Sequence, residues 1–154
     1  MQHYQDTQVS PYSPRQLFDL VLDIEKYPEF LPWCRAARVL SREEDKLLGE
    51  LVISFKHITE SYVSEVTFTP PEEGEGRIDV KLVRGPFKHL ENHWQFVALK
   101  EGGTEIKLDL AFQFRTKLLD SFIGLLFGKA TVKMAAAFKE RADKLYGPQA
   151  MPMP

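Results

Sequence analysis

The stretch Glu105-Ile-Lys-Leu-Asp-Leu-Ala-Phe-Gln-Phe-Arg115 alternates apolar and polar side chains along most of its length. Because successive residues of a strand point to opposite faces, this pattern predicts a strand with one apolar face, formed by Ile106, Leu108, Leu110, Phe112 and Phe114. In residues 117–146, which follow directly, apolar residues recur at steps of three and four. That spacing predicts a long amphipathic helix, ended by Gly147-Pro148, that can cover a sheet. The two elements together predict an α+β domain.

Upstream of this strand, β-type segments alternate with turn-forming clusters. The turn signals fall at 42–46, 70–76, 85–86 and 101–104. Apolar and polar residues alternate between them, over 51–55, 62–68, 77–82 and 90–98. The least regular boundary is Lys56-His57-Ile58, which contains no Gly or Pro. Strands with one apolar and one polar face predict an antiparallel meander that is covered on one side only.

A short helix is predicted ahead of the meander. Ser13 is a suitable N-cap and Pro14 a suitable first helical residue, and apolar residues follow at helical spacing. Tyr27 precedes Pro28 and marks the position beyond which the helix cannot continue.

Composition and charge fit one ordinary globular domain. Of 154 residues, 44% are hydrophobic and 27% charged, which argues against disordered, collagen-like and coiled-coil classes. We expect a single domain over 1–147 and a disordered tail over 148–154. A polar N-terminus without a signal peptide and a single cysteine favour a cytoplasmic protein. The net charge is −2, but residues 116–146 carry six basic and three acidic side chains, so this helix face is either simply solvated or suited to an anionic membrane or RNA.

One group of residues has the spacing of a metal site. His89, Glu91 and His93 lie at alternate positions and share one face of a strand, which a transition metal can use. Leu90 and Trp94, on the opposite face, are better suited to the core and leave the three polar residues in solvent. We therefore predict no metal at this position.

The remaining reactive residues do not form a standard catalytic set. Cys34 has no base near it in the sequence, and His57 is the one candidate that the fold could bring to it. The chain contains no G-x-S-x-G, no Walker loop, no G-x-G-x-x-G and no zinc-ligand spacing. We predict a protein that is not an enzyme and requires no cofactor. A cyclase that uses Glu60 with Tyr62 or His57 is the enzymatic alternative.

The large apolar side chains predict a ligand cavity between the sheet and the long helix. Aromatic residues on a curved sheet can enclose a cavity instead of a packed core, and a few inward polar side chains can orient a ligand. By the alternation along their strands, the polar residues expected to point toward the cavity are Glu60, Tyr62, Ser64 and Asn92. His57 and Arg84 fit this alternation less regularly. The predicted ligand-binding residues are Phe30, Leu31, Trp33, Phe55, Tyr62, Phe68, Phe87, Leu90, Asn92, Trp94, Phe112, Phe122, Leu126 and Met134.

Two local motifs carry a family resemblance. Tyr27-Pro-Glu-Phe-Leu-Pro-Trp-Cys34 and Gly85-Pro-Phe-Lys-His-Leu-Glu-Asn-His-Trp-Gln-Phe96 resemble signature stretches of the coenzyme Q-binding START-like family, whose bacterial members also carry the label ribosome association toxin. The similarity spans about residues 3–146. It implies a helix-grip fold, shared with lipid-transfer proteins and polyketide cyclases, in which a curved antiparallel sheet wraps around the C-terminal helix.

The resemblance also implies a function and partners. It implies a non-enzymatic protein that holds ubiquinone or a late precursor in an apolar tunnel and supports respiratory electron transfer or quinone biosynthesis. The expected partner is a hydrophobic small molecule, and DNA is not expected. A ribosome-associated inhibitor of subunit association and a polyketide cyclase or dehydratase remain the alternatives.

The predicted cavity needs an entrance and a route to its ligand. Pro28, Pro32 and Gly85-Pro86 favour tight turns that place Phe30, Leu31, Trp33 and Phe87 at the mouth, where we expect them to be only partly buried. Residues 122–128 are apolar all round. Ile123 and Phe127, flanked by Lys117 and Lys129, suit a peripheral contact at the inner face of the respiratory membrane, although a dimer or the loop 85–88 would also cover them.

Overall fold

The computed structural model describes residues 1–55 and 58–147, and the side chains within these ranges except those of 123–131. Its elements are, in chain order, β1 (Gln2–Ser10), α1 (Pro14–Leu22), a 3₁₀ helix (Ile24–Glu29), β2 (Cys34–Arg42), β3 (Lys46–Phe55), β4 (Ile58–Glu72), β5 (Glu75–Arg84), β6 (Phe87–Ala98), β7 (Thr104–Phe114) and α2 (Lys117–Tyr146). The strands form one antiparallel seven-stranded sheet in the order β1-β7-β6-β5-β4-β3-β2. One face of this sheet, called the inner face below, packs against α1 and part of α2. This is the α+β helix-grip arrangement that the sequence predicts.

Both helices begin where the sequence predicts. At α1, the Ser13 hydroxyl accepts a hydrogen bond from the Gln16 amide (3.1 Å) and the Gln16 side chain accepts one from the Ser13 amide (3.0 Å), a capping box followed by Pro14. This α-helix ends at Leu22, and a 3₁₀ helix that contains Pro28 continues to Glu29. At α2, the Thr116 hydroxyl accepts from the Leu119 amide (3.2 Å). The predicted tail, 148–154, lies outside the described residues.

The sequence pattern did not predict β1 and β2. β1 pairs with β7 along its whole length, from Gln2 opposite Phe112 to Ser10 opposite Thr104. Only Tyr4 of this edge strand packs against the core, so its residues show no apolar alternation. Two register shifts interrupt β2, which breaks the period of two there as well.

Buried residues form two clusters on the inner face. The central cluster lies beneath α1 and includes Phe18, Phe96 and Ile78. The distal cluster lies beneath the start of α2 and comprises Phe87, Leu90, Phe112 and Phe114, with Phe122 and Leu119 of α2 packed against it. Among the described side chains, the inner face is therefore filled at its distal end, and the ligand space described below lies within and beside the central cluster.

Candidate ligand-binding site

A small cavity of about 80 Å³ lies inside the central cluster. Residues of α1, the 3₁₀ helix, β3–β6 and α2 line it: Val21, Ile24, Tyr27, Leu31, Trp33, Leu51, Tyr62, Ser64, Val66, Ile78, Val80, Asn92, Trp94, Met134 and Phe138. Most of these side chains are apolar. The cavity therefore offers a mostly apolar volume with polar groups at a few defined points.

Four polar side chains contribute to the wall of the central cavity. Tyr27 is already satisfied, because its hydroxyl donates to the Val21 carbonyl. Ser64 is 4% exposed, and Asn92 has a fully buried Oδ1 atom without a hydrogen-bond partner. Burial raises the pKa of the Tyr62 hydroxyl, which therefore stays protonated and able to donate. Tyr62, Ser64 and Asn92 are thus the groups available to a ligand.

A larger groove adjoins the central cavity. It has a volume of about 350 Å³ and runs between β1, β7, α1 and the second half of α2. Its polar side carries Asp6, Gln8, Lys139 and the Asp143 carboxylate, which accepts a hydrogen bond from the Tyr12 hydroxyl (2.5 Å). The groove was not predicted from the sequence, because β1 forms part of its wall and the sequence pattern did not predict β1.

Val21, Trp94, Met134 and Phe138 line both the groove and the central cavity, so these four side chains, called the partition below, separate the two spaces. The Phe138 ring lies edge-on to Trp94, with 5.4 Å between ring centroids, and contacts Phe30 at 5.3 Å. The partition consists of side chains alone, and Met134 and Phe138 are only half-buried.

The C-terminal half of α2 is fastened to the proline-bounded segment beside the partition. Arg141 Nη2 lies 3.2 Å from Glu29 Oε1, and the guanidinium group covers the Phe30 ring at 5.2 Å from its centroid. The Arg141 side chain is only 10% exposed and its Nε atom is buried without a partner. These contacts place Phe30 next to the partition, on the side predicted for the entrance.

The structure brings only part of the predicted ligand-binding set together. Leu31, Trp33, Tyr62, Asn92, Trp94 and Met134 line the central cavity. Phe55, Phe87, Leu90, Phe112 and Phe122 belong to the distal cluster instead, and Phe68 packs against Phe18 at 6.3 Å between ring centroids. The side chains of Leu126, Ile123, Phe127 and Lys129, like the whole of His57, lie outside the described residues.

The predicted exposure of two entrance residues is wrong. Leu31 is 1% exposed and Phe87 is 4% exposed, so neither is a half-open mouth residue. Leu31 turns inward because its amide donates to the Tyr27 carbonyl (2.8 Å), which folds the proline-bounded segment back onto the sheet. Phe87 stacks on Phe114 with 4.5 Å between centroids. Phe30 and Trp33 are half-buried, as expected.

The other reactive residues are held by local contacts. His93 Nδ1 lies 2.7 Å from Asp79 Oδ1 on the outer face, and Glu91 lies 3.7 Å from both His89 and His93. The described part of the chain contains no group of His, Cys, Asp and Glu side chains arranged to hold a metal. Burial raises the pKa of the Cys34 thiol to about 11, which leaves it protonated and a poor nucleophile near neutral pH.

Comparison with known proteins assigns the family. Residues 10–139 match the family described as polyketide cyclase / dehydrase and lipid transport, and the chain belongs to it. Over 145 residues it is 43% identical to the ribosome association toxin RatA of Rickettsia prowazekii, covering 94% of this chain and 99% of that protein. It is also 30% identical over 154 residues to the mitochondrial coenzyme Q-binding protein COQ10 homolog B of Xenopus laevis, covering 97% of this chain and 62% of that protein.

A solved structure agrees with the fold. The Zhui aromatase/cyclase of a Streptomyces species superposes with a TM-score of 0.81 over 98% of this chain and 99% of its own, at 13% sequence identity. Identity at that level establishes the shared fold alone. Among the helices of the described residues, none has the length and apolar character needed to cross a membrane.

Proposed function

We propose that the protein binds ubiquinone or a similar polyprenyl lipid, without converting it, and thereby supports respiratory electron transfer or quinone biosynthesis. The observation that carries this proposal is the central cavity, where apolar walls surround three polar side chains that are available to a ligand. The similarity to a relative named as a coenzyme Q-binding protein supports the choice of ligand.

The sizes of the two spaces indicate how such a ligand would be accommodated. Ligand pockets commonly measure about 300–1,000 Å³, so the cavity of about 80 Å³ holds only part of a lipid, whereas the groove of about 350 Å³ falls in this range. We place the ring in the cavity and the isoprenoid tail in the groove, with the partition displaced. Every 100 Å² of tail surface removed from water contributes about 2.5 kcal/mol before ordering costs.

The chemistry of the central cavity wall supports binding without catalysis. Among the described residues, the wall carries hydroxyl and amide groups but no carboxylate, imidazole or amine. General acid–base catalysis needs a group that exchanges a proton near neutral pH, and the Tyr62 hydroxyl does not, because burial raises its pKa. Glu60, the partner considered for a cyclase, is not among the lining residues.

The chain's own fluorescence tests the proposal. The protein contains two tryptophans, of which Trp94 belongs to the partition and Trp33 lines the central cavity alone. In a Trp33→Phe variant only Trp94 emits, and in Trp94→Phe only Trp33 emits. We expect ubiquinone to quench both variants saturably, with a stronger effect on Trp94. Absence of saturable quenching in two folded variants would refute the proposal.

A second candidate function is inhibition of ribosomal subunit association. The name of the Rickettsia relative, at 43% identity, favours it, and so does the net positive charge of residues 116–146. Under this candidate, adding the protein to bacterial ribosomes reduces the 70S peak in a sucrose gradient. A double Lys133→Glu, Lys144→Glu variant, which changes two exposed lysines of α2, would then lose the effect while still quenching with ubiquinone. An unchanged 70S peak with the parent protein would exclude this candidate.

A lipid ligand that resides in a bilayer also requires access to the membrane. We place the protein in the cytoplasm, with a peripheral contact at the inner face of the respiratory membrane. Leu118, which is 84% exposed next to Lys117 at the start of α2, supports this contact. An apolar side chain beside a lysine suits shallow insertion among anionic headgroups.

A further inference from the structure

Asn92 is a polar residue in an apolar position. It lies on the inner face of β6 between Leu90 and Trp94, both of which are buried. Its strand neighbours are Val80 on β5 and Leu110 on β7. Its Oδ1 atom is fully buried and has no hydrogen-bond partner within the described part of the chain.

A buried amide oxygen without a partner lowers the stability of the protein that contains it. An apolar residue of similar size would pack among these neighbours without that cost. A structural asparagine in a core is normally held by hydrogen bonds to the backbone or to other side chains. Nothing in the described part of the chain therefore explains Asn92, whereas its position on the wall of the central cavity lets a ligand supply the partner.

Tyr62 and Ser64 approach the same space from the other side of β5. Ser64 pairs with Leu82 and Asn92 pairs with Val80, so the two polar side chains flank neighbouring inward positions of one strand. The Tyr62 ring is fixed by an edge contact with Phe87, 5.2 Å between centroids. Gly85 lies close beside Tyr62, and a Cβ added at position 85 would lie 2.5 Å from the Tyr62 Cβ.

The three side chains differ in what they require of a ligand. A hydroxyl can donate or accept, so Tyr62 and Ser64 suit a carbonyl and a hydroxyl equally well. The Asn92 amide can donate to a carbonyl, but its oxygen is satisfied only by a hydrogen-bond donor. A quinone ring carries acceptors alone, whereas a phenol or quinol carries hydroxyl donors.

We propose that Asn92 accepts a hydrogen bond from a ring hydroxyl of the ligand, so that the site prefers a prenylated phenol or quinol to the fully oxidised quinone. This inference rests on the proposed function and adds to it the chemical state of the ring. A site built to pair with a hydroxyl discriminates against the analogue that lacks it, because its own polar group then stays unpaired. One hydrogen bond corresponds to about a three- to tenfold difference in affinity.

The test compares a short-tailed ubiquinone with its reduced form by anaerobic titration calorimetry. We expect the parent protein to bind the reduced form about three- to tenfold more tightly. Asn92→Leu should abolish that ratio and raise the melting temperature without ligand, since it removes the buried amide oxygen that has no partner. As a matched control, Ser64→Ala should weaken both forms alike and leave their ratio unchanged.

The outcomes separate this inference from the proposed function. Equal affinity of the parent protein for both forms overturns the inference and leaves quinone binding standing. A preference that persists in Asn92→Leu, or a lower melting temperature of that variant with an unchanged ratio, also overturns it and makes Asn92 a structural residue. Binding of neither form to the folded parent overturns the inference and the proposed function together. The ratio in the parent protein decides the question even if Asn92→Leu does not fold.

Discussion

Replacing Phe138 by alanine should open the partition between the central cavity and the groove. The Phe138 ring makes edge contacts with Tyr27, Phe30 and Trp94 at 5.6, 5.3 and 5.4 Å between centroids. Truncation of a fully buried Phe costs about 3–5 kcal/mol, and because Phe138 is half-buried we expect a loss of about 2–3 kcal/mol. For a chain of this size that lowers the melting temperature by about 4–12 °C.

The same change should affect ligand exchange. Each aromatic pair contributes about 0.5–1.5 kcal/mol beyond the area that it buries, so a ligand that displaces the Phe138 ring from its three partners has to break contacts worth about 1.5–4.5 kcal/mol. Without the ring, ubiquinone should leave about tenfold faster or more, since 1.4 kcal/mol corresponds to a factor of ten. Stopped-flow recovery of tryptophan emission, after mixing the loaded protein with excess empty liposomes, measures this rate.

A matched truncation separates exchange from stability. Phe68 is also half-buried and packs edge-on against Phe18 at 6.3 Å between centroids, but it lines neither the cavity nor the groove. Phe68→Ala should therefore lower the melting temperature and leave the dissociation rate unchanged. If both variants, or neither of them, accelerate dissociation, the ligand does not pass the partition and the reasoning is refuted.

Three further predictions follow from burial, surface chemistry and charge. Leu31→Asp should lower the melting temperature severely or prevent folding, because Leu31 is 1% exposed; a thermal melt close to that of the parent would contradict the burial described. Replacing both Ile123 and Phe127 by Ser should reduce flotation with anionic liposomes, and raising salt should weaken what remains; flotation that ignores both changes would exclude insertion of these residues. Burial alone would raise the pKa of the Asp79 carboxyl, but hydrogen bonds from a neighbouring arginine and from His93 lower this pKa below its ordinary value of 3.8. The ionised Asp79 carboxylate therefore stabilises the folded protein fully above pH 3.8, and this stabilisation is lost as the pH falls through the lowered pKa. Asp79→Asn should therefore make the free energy of unfolding, measured by denaturant titration, fall less at acid pH. An equally steep fall in the variant would contradict this prediction.

Most of the fold could be predicted because it depends on local periodicity. The alternation in β7 and the helical spacing in 117–146 are strong signals, since each element buries one face against the other. β1 could not be found in this way. Its polar side chains carry no apolar pattern, and it is held by backbone pairing with β7, which depends on residues about a hundred positions away.

The candidate site was predictable in kind but less so in detail. The alternation of inward and outward residues along each strand identified Tyr62, Ser64 and Asn92, because residues two apart on a strand share a face whatever the curvature of the sheet. The same alternation also pointed to Glu60, which does not line the cavity. How far along a strand the cavity extends depends on where the helices cover the sheet. The turns at Pro28 and Gly85 were recognised, but whether a turn folds inward or stays open depends on tertiary contacts.

Mass spectrometry of an organic-solvent extract from the purified protein tests the central claim most directly. We expect an unmodified polyprenyl quinone, quinol or related phenol in the extract, enriched over a mock purification and depleted in a folded Phe138→Asp variant that places a charge at a half-buried position of the partition. An extract from folded protein that contains no polyprenyl lipid, together with failure of added ubiquinone to bind, would contradict it. Recovery of a chemically converted aromatic product would contradict the absence of catalysis.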